Sequence, residues 1–120
     1  MNDVEAAVND LEKQLRIKLP DSYRAFLLSH PSGFRDEELF LYGADEIVER
    51  NQTFEIQRFT PEFLAVGDDS GGRVVVIRHA DPNARPCIVD LGALTPNMPS
   101  TLMRQLAVAW QDWEKRGFAI

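Results

Sequence analysis

The stretch "FLAVGDDSGGRVVVIR", Phe63 to Arg78, sets two apolar runs on either side of an acidic, glycine-rich centre. What that centre does decides the fold. Asp69-Ser70-Gly71-Gly72 has the look of a trypsin-type protease nucleophile, but such a serine needs a base within reach and an acid behind it. The histidines are His30, ending a predicted helix, and His79, nine residues past Ser70. Neither lies in a segment resembling the partner motifs of such proteases, and the chain is too short for a double barrel. A phosphate loop frames its residues with glycines and follows them with lysine and a helix. Here Arg73 follows, and then the strand-like "VVVI". An EF-hand loop spaces its acids at alternate positions, whereas Asp68 and Asp69 are adjacent and diverge. A hairpin turn accounts for every residue, since Asp and Ser bend the chain onto their own backbone and glycine supplies positive φ. The stretch is predicted to be strand, turn, strand.

Working outward, Val4, Val8, Leu11 and Leu15 recur at helical spacing and predict a first helix over about 3–16. Pro20 pushes Leu19 out of helical geometry and suits the first position of a second helix that runs to about Ser29. "HPSGF" breaks it. "ELFLYG" predicts a short strand over 38–42, and "ADEIVERNQTFEI" a helix with Ile47, Asn51 and Phe54 near one face. "EFLAVG", "RVVVIR" and "PCIVDL" read as strands. Ser100 is the expected N-cap of a last helix carrying Leu102, Leu106, Ala109 and Trp113, and Gly117 its stop. Helices, then mostly strands, then a helix: the order predicts α+β, with an antiparallel-dominated mixed sheet and helices packed against it.

The 120 residues fit one domain spanning 1–120. No apolar run approaches the roughly 20 residues of a membrane span. The start, "MNDVEAAVND", has acids where a signal peptide carries bases. Cys87 is the single cysteine, so no internal disulfide forms. A cytoplasmic location is expected. The net charge of −6 disfavours a nucleic-acid reader, whose affinity comes from Lys and Arg on phosphates, and equally an anionic lipid surface. It suits a basic partner, or plain solubility.

The loop also carries a resemblance. "FLAVGDDSGGRVVVIR" resembles a signature of the SUKH superfamily, the Smi/Knr group, in which an apolar strand precedes an Asp-Asp turn, a glycine and a second apolar strand. "IKLPDSYRAFLLSHPSG" resembles the other signature through Leu19-Pro20, Tyr23, Phe26-Leu27 and a glycine turn. In "ELFLYGADEIVERN", Leu39, Leu41, Ile47 and Asn51 fall at family positions, and Leu102, Leu106 and Trp113 resemble the family's last helix. The resemblance runs from about Val8 to Trp113. It implies an α+β domain without catalysis or cofactor. Many members are immunity proteins that bind a cognate polymorphic toxin, often a nuclease; others are regulatory or scaffolding modules. The resemblance thus implies a protein partner, with a toxin domain as the first expectation and an intracellular regulator as the alternative.

Within that expectation, Asp36, Glu37, Glu38, Asp45, Glu46 and Glu49 form the densest acidic stretch, joined by Asp68 and Asp69 at the loop tip. They read either as a partner-facing patch that stands in for phosphates or as solvated surface and turn chemistry. Tyr23, Phe26, Trp110 and Trp113 sit at helical period and read as core before interface. Cys87 lies in an apolar run and reads as an inert buried thiol rather than a nucleophile with His79. Two histidines and one cysteine without ligand spacing offer no metal site.

Overall fold

The structure, a computed structural model, describes residues 3–93, 103–105 and 108–118. Helix α1 (Asp3–Leu15) buries Val8 and Leu11 on the predicted stripe, and ends as Arg16 turns left-handed at φ 57°. Pro20 precedes α2 (Asp21–Ser29) as its N-cap rather than its first helical residue. Glu12 ties the two helices together. One oxygen accepts from Arg24 at 2.6 Å, and the other from the Leu19 amide at 2.9 Å.

A hairpin follows, of β1 (Phe34–Arg35) and β2 (Phe40–Leu41); β1 was not expected. Two residues carry too little alternation to register as a strand. Gly33 makes the pairing possible. It sits at φ 75° under the Leu41 carbonyl, where a Cβ would collide with the oxygen.

The helix expected over "ADEIVERNQTFEI" is two pieces, α3 (Ile47–Thr53) and α4 (Ile56–Phe59), broken at Glu55 with φ 53°. At about 100° per residue, a continuous helix would set Ile56 roughly 180° from Ile47. Both are fully buried. The left-handed residue resets the phase so that both reach the core.

Strand β3 (Phe63–Asp68), β4 (Arg73–Arg78) and β5 (Cys87–Asp90) follow as expected, then a 3-10 turn at Leu91–Ala93. The last expected helix requires correction. Met103–Gln105 is strand β6, paired with Cys87–Val89, and helix α5 is only Trp110–Lys115. Pairing with the otherwise open edge of β5 overrides a local helical period. Ser100, Leu102 and Leu106 lie outside the described residues. Gly117 does stop the helix, at φ 66°.

The sheet runs β1-β2-β3-β4-β5-β6, each described pair antiparallel, giving an α+β meander. Phe63 to Val66 and Val74 to Ile77 are buried residue after residue, so both faces of the central strands are covered. Helices α3 and α4 pack on β3, α1 on α2 and α3, and α2 on α5. Trp110 meets Tyr23 edge-on at 4.9 Å, Phe26 at 5.3 Å and Trp113 at 5.2 Å, so these aromatics are core. Phe118, left-handed after Gly117, closes the cluster against Phe26 and Trp113.

One side chain completes the sheet. Asn51 is fully buried and donates to the Ala65 carbonyl at 2.9 Å while accepting from the Ala65 amide at 2.9 Å. Its carboxamide pairs with β3 where β2 has run out, beside the irregular register at Ala65/Gly67. Gln57 continues the edge by donating to the Phe63 carbonyl and to Asn51 Oδ1.

Candidate functional site

The Asp68–Gly72 loop is a turn. Asp68 Oδ1 accepts from the Ser70 amide at 2.9 Å, and Asp69 Oδ1 from the Gly71 and Arg73 amides at 2.7 and 3.1 Å. Ser70 and Gly72 take the positive φ values. Ser70 is exposed, and His79 lies beyond the far end of β4, about 20 Å away at the usual strand rise. There His79 Nε2 contacts the Pro61 carbonyl, while His30 stacks on Phe26. Neither histidine attends Ser70. Burial pushes the Cys87 thiol up from its ordinary pKa. The described residues hold no cluster that could bind a metal ion, and none of their helices is long and apolar enough to cross a membrane.

The pairing register gathers what the sequence separates. Phe40 lies opposite both Arg35 and Asp68, and Arg73 opposite Asp90. The β1–β2 tip, the β3–β4 tip and the end of β5 therefore share one end of the sheet. Asp36, Glu37 and Glu38 are exposed on the first tip, where Asp36 caps the turn by accepting from the Glu38 and Leu39 amides at 2.8 Å. Asp68 and Asp69 belong to the second tip, half-buried and occupied by the turn. Asp45 and Glu49 are exposed at the start of α3, where Glu49 accepts from Thr53 at 3.2 Å. Glu46 is half-buried between Arg35 (3.1 Å) and the Gly43 amide (3.3 Å).

Between the two tips and α3 opens a groove of about 470 Å³. Its apolar lining is Phe40, Leu41, Phe54 and Leu91; its charged lining is Arg35, Arg50 and Arg73 with Glu46 and Asp68. Tyr42 forms part of the wall, its hydroxyl donating to Asp68 Oδ2 at 2.6 Å. Burial first, and then the Asp68 carboxylate, push that hydroxyl's pKa upward, so it stays protonated. Of the eight acids expected to face a partner, only Glu46 and Asp68 line the groove, and both are held by internal donors. The sequence reading missed the three arginines. They stand on β1, α3 and β4, and the strand register together with the packing of α3 on β3 brings them together.

No curated protein matches the chain. The family model described as the SMI1 / KNR4 family (SUKH-1) matches residues 5–116. That match spans α1 through α5, the span over which the hairpin tips and the groove are built, and the chain belongs to the SMI1 / KNR4 family (SUKH-1).

Proposed function

We propose that the protein is a non-catalytic binding domain that neutralises a cognate toxin domain, as an immunity protein of the bacterial cytoplasm. The observation that carries this reading is the convergence of both hairpin tips on one end of the sheet. Exposed Asp36, Glu37 and Glu38 stand there beside a partly apolar groove. Family membership supports the reading, since immunity proteins are common in the family. So does the net charge of −6, which favours a basic partner such as a nuclease. Asp45 and Glu49, exposed on α3, extend the acidic rim. Asp68 and Asp69 act from beneath it, by fixing the second tip. An interface of this kind pairs a charged rim with an apolar centre.

The test is co-expression with the C-terminal domain encoded by the gene immediately upstream. Rescue of growth by the wild-type chain, lost in a Glu37→Lys/Glu38→Lys variant, is expected. Growth arrest unaffected by the wild-type chain would overturn the reading and favour a regulatory module acting on another protein.

A further inference from the structure

We propose that the groove takes a carboxylate-bearing apolar segment of a protein partner. An aromatic or aliphatic side chain of that segment lies on Phe40, Phe54 and Leu91, and a neighbouring Asp or Glu is held by Arg35, Arg50 and Arg73. This rests on the protein-binding reading and adds the chemistry of the occupant.

The groove sets engaged acceptors beside guanidinium donors that are less engaged. Every oxygen of the groove's two carboxylates already accepts a hydrogen bond from within the chain. Glu46 accepts from Arg35 and the Gly43 amide, and Asp68 from Tyr42 and the Ser70 amide. A guanidinium carries a fork of N–H donors suited to a carboxylate. Arg35 spends Nη2 on Glu46, at 3.1 Å. Among the described residues, Arg50 pairs with Glu49 through Nε at 3.4 Å and Arg73 with Asp90 through Nε at 3.7 Å. Those two pairs are longer than a good charge-assisted hydrogen bond and largely solvent-exposed, so they give way easily to a better acceptor.

The sign of the groove follows. In a chain of net charge −6, the groove lining carries three guanidiniums against two occupied carboxylates. A basic side chain finds there only carboxylate oxygens that already accept a bond, whereas a carboxylate finds guanidiniums held by long, exposed pairs. The acidic rim repels an acidic peptide at long range. The segment therefore gains from being presented by an otherwise basic surface, and from the apolar contact beneath it.

The probe is acetylated Gly-Phe-Glu-Gly amide, titrated into 15N-labelled protein beside its Gln and Lys counterparts and beside inorganic phosphate. Saturable shifts are expected at the amides of Phe40, Tyr42, Gly72 and Arg73, with the Glu peptide about tenfold tighter than the other two. Arg50→Gln and Arg73→Gln each remove most of that preference, and Arg58→Gln, outside the groove, leaves it intact. Equal or tighter binding of the Lys peptide, no saturable shift with the Glu peptide, or equal saturation by phosphate alone would overturn the proposal. If a variant fails to fold, the peptide series on the wild-type chain still decides. Because the peptides are independent of any toxin, failed rescue in cells and failed peptide preference remain distinguishable.

Discussion

Replacing Asn51 by leucine keeps the side chain's size and removes its hydrogen bonds. Asn51 is fully buried, as is Ala65, so water cannot take over the freed groups. The Ala65 amide and carbonyl both lose the partner that stands in for a sheet neighbour. Gln57 loses one acceptor but keeps the Phe63 carbonyl, and the Ile47 carbonyl loses a side-chain donor inside a helix. The dominant loss is two orphaned backbone groups, at about 1–3 kcal/mol each. The total, about 2–6 kcal/mol, is a large share of the roughly 5–15 kcal/mol that holds a domain folded. With a urea dependence of about 1–3 kcal/mol per molar, the midpoint falls by at least about 0.7 M. Urea titration followed by the fluorescence of buried Trp110 and Trp113 measures it. A midpoint within about 0.3 M of wild type would refute the claim that this carboxamide closes the edge of β3.

Other outcomes follow from the same geometry. Asp69→Ala removes the acceptor of two turn amides and is expected to cost about 1–2 kcal/mol in urea titration, whereas Glu37→Lys, at an exposed tip, changes stability little. Tyr23→Phe deletes a buried hydroxyl without a partner among the described residues, so thermal unfolding is expected to be unchanged or slightly later. The chain's two tyrosines, Tyr23 and Tyr42, are buried with pKa values pushed up by that burial. Their stabilising contribution is full below the unfolded tyrosine pKa of about 10 and is lost as pH rises beyond it. Phenolate absorbance is therefore expected to appear only together with unfolding. At the acid end, burial penalises the Asp81 charge, but the Asn83 and Arg85 amides and the Arg85 guanidinium outweigh it and hold the carboxyl below its ordinary value. Its contribution is present above the unfolded pKa and lost as pH falls through the folded one, so Asp81→Asn flattens the acid limb of a stability profile.

Much of this fold was legible where local chemistry and tertiary packing agree. Val8 and Leu11 gave α1, and the Asp, Ser and Gly residues of 68–72 gave the turn. It was illegible where a distant partner decides. Nothing near Met103 announces the edge of β5, so a helical period at Leu102 and Leu106 misled. Ile56 falls out of phase with Ile47 only if the burial of both is known, and Glu55 is not a residue type that advertises a left-handed turn. The candidate site divides in the same way. The acids of the first tip were visible as a run. Arg35, Arg50 and Arg73 are scattered singly along the chain, and their meeting depends on the pairing of Arg35 with Phe40 and of Phe40 with Asp68, and on the packing of α3 on β3.

The central claim is that the acid-rimmed end of the sheet meets a basic protein. The association rate between the purified chain and the upstream gene's C-terminal domain, measured from low to high salt, tests it most directly. The account predicts a rate that falls steeply with salt and drops in Glu37→Lys/Glu38→Lys, because rim charges steer encounter. A rate indifferent to salt and to the charge reversal, or no association at all, would contradict it.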